Sequence, residues 1–243
     1  MTQSTLDPAE IEKFSALAAE WWNPKGPFGA LHRLNPIRLQ FIRDEVVRHF
    51  GTEPRRPLSG LRVLDLGCGG GLVSAPLARM GGEVTAIDAS SEAIGAARAY
   101  ASQAGIPIDF EKTTAEALVE RSVQFDLVTA LEIIEHVADV KAFLAAASAL
   151  VRPGGMLILS TINRTQKARA LAIVGAERIL KWAPEGAHDY DKLVTPDEIR
   201  AGAPGIKWNE PVGFVYAPLG AGWSLSRDVS VNYAMAGVRP EAA

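Results

Sequence analysis

Apolar residues recur at helical spacing near the N-terminus. Ile11, Phe14, Leu17, Ala18 and Trp21 follow the start signal Asp7-Pro8, which predicts an amphipathic helix from Asp7 to about Trp22. The run Asn23-Pro24-Lys25-Gly26-Pro27-Phe28-Gly29 breaks it, and a second helix is expected from Asn35-Pro36, carrying Ile37, Leu39, Phe41, Ile42, Val46 and Val47. A Pro/Arg-rich connector, 51–59, follows. From Leu61 the pattern changes to short apolar runs at 61–66, 83–87, 107–110, 125–131 and 156–161, alternating with helical patterns near 72–80, 91–104, 114–120 and 139–150. Such alternation predicts an α/β fold, a parallel sheet covered by helices on both faces. Arg152-Pro153-Gly154-Gly155 reads as a tight turn feeding the fifth strand and 164–182 as a helical insertion. Two later strands are expected at 206–216 and 221–236, broken by Pro218-Leu219-Gly220.

Composition narrows the class. A length of 243 residues suffices for one large α/β domain, and a net charge of −3 provides no basic surface for nucleic acid, so no nucleic-acid partner is expected. The single cysteine, Cys68, can form no internal disulfide and fits a reducing compartment. The N-terminal residues lack a signal-peptide pattern and no window is apolar enough to span a bilayer, which predicts a cytoplasmic protein.

The chemistry centres on Val63-Leu64-Asp65-Leu66-Gly67-Cys68-Gly69-Gly70-Gly71, a buried strand opening into a glycine turn. In a doubly wound sheet a ligand sits where the first strand meets its helix, and glycines there let it approach the backbone. Asp88, closing the second strand, stands where a carboxylate can accept hydrogen bonds from both ribose hydroxyls of an adenosine. The dinucleotide fingerprint fails, because the frame from Gly67 puts Leu72 at the third glycine, and no Tyr-x-x-x-Lys pair supports hydride transfer. Asp65, just before the first glycine, can instead orient the loop and reach a cationic amino-acid end, which points to S-adenosylmethionine. Gly67, Gly69, Asp65 and Asp88 are its expected contacts.

Beyond the fourth strand, Glu132, Glu135 and His136 fall at i, i+3 and i+4, so one helical turn would present all three on one face. Two carboxylates and an imidazole can hold a divalent cation that acidifies a phenol; alternatively the glutamates charge the helix start and His136 alone is a base or core residue. The H-x-x-E-H zinc pattern fails at Glu132. In the insertion, Arg164, Lys167, Arg169, Arg178 and Lys181 alternate with Leu171, Ile173, Val174, Ile179, Leu180 and Trp182, the composition either of an interfacial helix or of a lid packed on the domain.

The glycine run, the Asp88 strand end, Glu132-Ile133-Ile134-Glu135-His136-Val137 and Leu150-Val151-Arg152-Pro153-Gly154-Gly155 are together similar to class I methyltransferases. Segments outside that core go further. Phe14 to Trp22, Leu31-His32-Arg33-Leu34-Asn35-Pro36-Ile37-Arg38-Leu39, Ser160-Thr161-Ile162-Asn163-Arg164-Thr165, Val174-Gly175-Ala176-Glu177, Gly186-Ala187-His188-Asp189-Tyr190 and Val231-Asn232-Tyr233 resemble the ubiquinone-biosynthesis O-methyltransferase family over most of the chain.

The resemblance implies a Rossmann-like seven-stranded sheet, and a single domain made of an N-terminal helical cap (1–58), a cofactor core (61–161), an insertion (163–194) and C-terminal strands (195–243). It implies methylation of polyprenyl catechol and quinol intermediates at both O-methylation steps. Arg38, Gly67, Asp88 and Leu131 map onto family cofactor positions, while Glu132, Glu135 and His136 map onto catalytic and metal-binding ones, with Mg²⁺ the expected ion. Lipid contact through 164–182 at the inner membrane, and contact with other ubiquinone-biosynthesis proteins, are implied likewise. The alternatives are a methyltransferase of another phenolic or carbon acceptor and a non-catalytic S-adenosylmethionine-binding module.

Overall fold

The structure is a computed structural model that describes residues 5–171, 189–217 and 222–241. The expected alternation is present. Strand β1 (Arg62–Leu66) leads to α3 (Ser74–Arg79), β2 (Glu83–Asp88) to α4 (Ser91–Ala104), β3 (Asp109–Lys112) to α5 (Ala115–Glu120), and β4 (Phe125–Leu131) to α6 (Val140–Ala149) and β5 (Val151–Ile162). The third strand lies two residues later than its apolar run suggested. Ser90, Thr114 and Asp139 cap α4, α5 and α6 by accepting the backbone N–H three residues on, and Gly105 ends α4 in the left-handed conformation.

The five strands are parallel, in the order β3-β2-β1-β4-β5. Alternate side chains feed two cores. Val63 and Leu127 join Ile42, Leu77 and Ile94 on one face, whereas Leu64 and Val128 join Leu118, Leu144 and Ile199 on the other. The C-terminal region differs from expectation. In place of two long strands there are four: β6 (Lys207–Trp208), β7 (Val212–Ala217), β8 (Gly222–Ser226) and β9 (Asn232–Val238). Pro211 cannot donate to a ladder and separates β6 from β7, while Asp228 accepts the N–H of Ser230 in a tight turn between β8 and β9. The sheet of the described residues thus has nine strands, in which the seven-strand order 3-2-1-4-5-9-7 is extended by β8 at the edge and by β6 against β9.

Two helices precede the sheet. α1 spans Pro8–Ala16, shorter than expected, and a 3₁₀ turn, Ala18–Glu20, carries the chain on. α2 spans Gly29–Phe50 and contains Pro36, where the sequence pattern placed its start. Proline lacks the N–H that would reach the carbonyl one turn back. In that turn the buried Arg38 side chain donates to the carbonyl of Leu31 at 3.4 Å. α2 buries Ile37, Phe41, Ile42 and Val46 in the main core. Beyond β5, α7 (Gln166–Ala168) opens the insertion, and α8 (Pro196–Gly202), with a Thr195–Glu198 capping box, packs on α6. Residues 172–188 of the insertion, with Arg178, Lys181 and His188, lie outside the described residues.

Candidate active site

The glycine turn stands at the C-terminal end of β1, and Gly67, Gly69 and Gly71 have φ of 67°, 52° and 82°. A Cβ on Gly69 or Gly70 would meet the Trp21 ring system or its Cβ at 2.4 Å, and one on Gly67 would meet Ile133 at 2.7 Å. The turn is therefore glycine for packing as well as for conformation. Trp21 stacks on Phe28 with centroids 3.7 Å apart, and Trp22 stacks on Tyr100 while donating its indole N–H to the Gly70 carbonyl at 2.9 Å.

Asp88 fixes the turn from the next strand. Its Oδ2 accepts the N–H of Gly69 at 2.9 Å and its Oδ1 that of Ser90 at 2.8 Å, and the residue lines the main cavity. Asp65 sits behind the turn, off the cavity wall. Its Oδ2 accepts from Ser74 Oγ at 2.6 Å and its Oδ1 from Thr129 Oγ1 at 2.8 Å, tying α3 and β4 to β1. Burial pushes its carboxyl up to about 6, against the pull of those two hydroxyls. Arg38, 3% exposed, lies on the same side of the sheet; its Nε has no hydrogen-bond partner, and burial lowers its pKa although Glu132, Asp65 and Glu135 oppose this. Leu131 ends β4 with its side chain in the core.

The cavity of about 590 Å³ runs from Gly69 and Asp88 past Glu132 and His136 to an apolar wing of Phe214, Tyr216 and Trp223. α1 roofs it with Glu10, Ile11 and Phe14. At its centre, the expected single helical face of Glu132, Glu135 and His136 is not formed. Only Ile134–His136 is helical, as a 3₁₀ turn, and Glu132 precedes it in the left-handed region with φ of 52°. That conformation sends the Glu132 carboxylate back to β5, where it accepts from Ser160 Oγ at 2.6 Å, while its N–H donates to the Ser160 carbonyl at 2.9 Å.

Glu135 is 3% exposed; its carboxylate makes no well-aligned hydrogen bond, and the Thr161 hydroxyl and its own backbone N–H lie beside it. Burial, then the Glu132 charge, pushes its carboxyl well above the usual carboxylate range. His136 turns the other way, its Nδ1 3.0 Å from Glu10 Oε2 and its ring edge-on to Phe14. The Glu10 carboxyl is held down to about 2, chiefly by that bond to His136. Among the described residues no three His, Cys, Asp or Glu side chains are gathered as a metal site.

Periodicity does not reveal Ser74 and Thr129, which hold Asp65, Ser160, which holds Glu132, or Glu10, which faces His136. Glu10 reads in sequence as an ordinary first-turn acid, and its partner is 126 positions away. In the insertion, Arg164 pairs with Glu198, Lys167 with Asp228 at 2.6 Å, and Arg169 lies over the Tyr190 ring, while Leu171 is 54% exposed. Asp189 caps the turn Tyr190–Lys192 through the N–H of Asp191. No described helix is long and apolar enough to cross a membrane.

Comparison with known proteins completes the description. A family profile described as "Methyltransferase domain" matches residues 64–159. The chain is 50% identical over 242 residues to a protein of Sinorhizobium medicae named ubiquinone biosynthesis O-methyltransferase, covering 98% of both chains. It is also 50% identical over 238 residues to the protein of that name from Azorhizobium caulinodans, covering 96% and 94%. Among solved structures, magnesium protoporphyrin IX methyltransferase from Synechocystis with bound S-adenosylmethionine superposes with a TM-score of 0.64 at 18% identity, over 98% of this chain and all of that one. The plantazolicin methyltransferase BpumL superposes with a TM-score of 0.63 at 14% identity, over 96% and 98%. These structural likenesses show the class I methyltransferase fold.

Proposed function

Because the chain belongs to the ubiquinone biosynthesis O-methyltransferase family, we propose that it transfers the methyl group of S-adenosylmethionine to a phenolic oxygen of polyprenyl catechol and quinol intermediates of ubiquinone synthesis. One observation carries the reading: a single cavity joins the glycine turn and Asp88 to Glu132 and His136, and continues into an apolar wing. The donor set fits the cofactor. Gly67 and Gly69, both with positive φ, bring backbone to the cavity wall, and the cavity-facing Asp88 carboxylate is an acceptor for ribose hydroxyls. S-adenosylmethionine supplies an electrophilic methyl carbon on a sulfonium, a good leaving group. The protein's part is to orient the phenol in line with it and exclude water, which the roof of Ile11 and Phe14 serves.

A phenol has a pKa of about 10 and needs help to ionise at neutral pH. In our reading Glu132, Glu135 and His136 would hold a divalent cation, Mg²⁺, whose charge would lower the phenol pKa. Support comes from Glu135, a buried carboxyl with no well-aligned hydrogen bond beside a second carboxylate, a pairing that a cation or a proton relieves. A second reading has its own support. His136 is held by Glu10, apart from any three-residue donor cluster among the described residues, as suits an imidazole that takes the phenol proton without a metal. The apolar wing of Phe214, Tyr216 and Trp223 suits an isoprenoid tail. Attachment at the cytoplasmic face of the inner membrane through 164–182 is supported by its basic and apolar residues and by the exposed Leu171.

Methyl transfer from labelled cofactor to a short-tail catechol, with EDTA, with added Mg²⁺ and with anionic liposomes, tests all parts. Activity lost in EDTA and restored by Mg²⁺ supports the cation, whereas full activity in EDTA leaves His136 as base. No transfer to any catechol under either condition overturns the function. Liposomes that neither bind nor stimulate the protein return 164–182 to a lid.

A further inference from the structure

We propose that Glu10 is a positioning residue for His136: α1 reaches over the cavity to fix the imidazole tautomer and ring orientation that the methyl-acceptor chemistry uses. The inference rests on the reading above, that His136 serves the reaction, and holds whether it does so as ligand or as base.

Glu10 Oε2 is 3.0 Å from His136 Nδ1. An ionised carboxylate has lone pairs and no proton, so the ring nitrogen facing it must be the donor. Nδ1 therefore carries a proton, and in the neutral ring it is Nε2 that acts toward a phenol proton or a cation. A histidine that ligates a metal or accepts a proton commonly has its other nitrogen held in this way, by a carboxylate that fixes the tautomer.

The grip is built for orientation. Glu10 and Phe14 are four residues apart on α1 and so share a face. Phe14 meets the imidazole edge-on, with ring centroids 5.0 Å apart and planes at 81°, while Glu10 takes Nδ1. The carboxylate is itself held. Lys192 Nζ is 3.6 Å from Glu10 Oε1 and 2.9 Å from Asp7 Oδ2, so one lysine braces the first turn of α1. The N-terminal end of the roof is tied as well, by the Thr5 carbonyl, which accepts the N–H of Ala138 at 2.8 Å, and by the Thr5 hydroxyl on Glu116. The Thr5–Ala138 bond sets the start of the roof against the segment that carries His136, and the Thr5–Glu116 bond ties it to α5.

The experiment compares Glu10→Ala, Glu10→Gln, His136→Ala and the double variant Glu10→Ala/His136→Ala in the full chain. Glu12→Ala, an exposed residue on the same helix, is the control. Methylation of a short-tail catechol gives kcat and KM, and calorimetry with S-adenosylhomocysteine gives cofactor affinity. The expected result is a kcat lowered roughly 10- to 100-fold in Glu10→Ala, with cofactor affinity and KM nearly unchanged. Glu10→Gln, whose amide oxygen still accepts the Nδ1 proton, recovers most of that loss. The double variant is no slower than His136→Ala alone, because a positioning residue has nothing to position once the ring is gone.

Multiplicative losses in the double variant overturn the proposal, as does a fall in cofactor affinity matching that in kcat, the mark of a merely structural role. Wild-type kcat in Glu10→Ala beside an inactive His136→Ala overturns it while leaving the role of His136 standing. If His136→Ala itself turns over normally, that role fails, and this inference with it.

Discussion

The Asp88 carboxylate accepts the backbone N–H of Gly69 at 2.9 Å, so the residue that closes β2 also sets the shape of the turn that closes β1. The same group faces the cavity, and turn geometry and ribose recognition therefore depend on one side chain. Asp88→Asn sets an amide N–H against either Gly69 or Ser90. Hydrogen bonds to a charged group contribute about 1.5–3 kcal/mol, so S-adenosylhomocysteine affinity should fall by at least tenfold, measured by calorimetry. Unaltered affinity would remove Asp88 from the cofactor site.

Trp21 wedges against Gly69 and Gly70, and the two positions differ in a testable way. Gly69 has positive φ whereas Gly70 does not, so a methyl group at 70 is resisted by Trp21 alone. Gly70→Ala should lower thermal stability and cofactor binding, and Trp21→Ala should restore much of the stability by vacating the contact. The same rescue should fail for Gly69→Ala, where backbone strain of about 1–3 kcal/mol remains. Equal rescue at both positions would show that the wedge, and not the left-handed turn, constrains them.

Asp65 has its folded pKa raised to about 6 by burial, above the 3.8 of an ordinary aspartate. The folded state therefore favours the protonated form. Its contribution to stability is fully present below pH 4 and is lost as pH rises through 6. The loss is on the order of 3 kcal/mol, about two units at 1.4 kcal/mol each. Urea unfolding of the cofactor-free protein between pH 4.5 and 7.5 should show wild type losing stability relative to Asp65→Asn up to pH 6, with parallel behaviour above about 7. Parallel curves throughout would mean that Asp65 titrates normally.

Glu135 is a buried carboxyl with no well-aligned hydrogen bond, beside another carboxylate. A buried polar group left without good hydrogen bonds costs about 1–3 kcal/mol, which an apolar side chain of similar volume avoids. Glu135→Met should accordingly raise the melting temperature while abolishing catechol methylation. A lower melting temperature would show that the carboxylate earns its place through folding instead of function.

Much of this was legible in the chain before any coordinates. Runs such as Val63–Leu66 and Phe125–Leu131 carry apolar residues toward both faces, and a parallel strand covered on both faces has no other pattern. The glycines and Asp88 were legible because a left-handed turn and a strand-end acid leave local signatures. Other features depend on partners far along the chain. Pro36 reads as a helix start, yet Gly29–Phe50 continues through it because α2 packs Leu34, Ile37 and Phe41 against the sheet core. Glu132-Ile133-Ile134-Glu135-His136 has helical spacing, but Ser160 on β5 takes the first carboxylate, and Glu10 on α1 takes the imidazole. Tertiary hydrogen bonds override the local period there. Those are the positions at which chemistry was expected, and local rules commonly give way at such sites.

The position of β9 reaches beyond catalysis. It lies between β5 and β7, and its residues from Tyr233 to Ala236 are at most 1% exposed. The last of the described strands in chain order is thus laid into the interior of the sheet. During synthesis, β1 to β5 can pair while the flank of β5 remains open, with Ile158 and Leu159 lacking the neighbours they finally have. Closure of the sheet then waits on the pairing of β9 with β5 and β7. A lesion near Tyr233, remote from Asp88 and Gly69 in sequence, should act on yield and solubility before it acts on turnover.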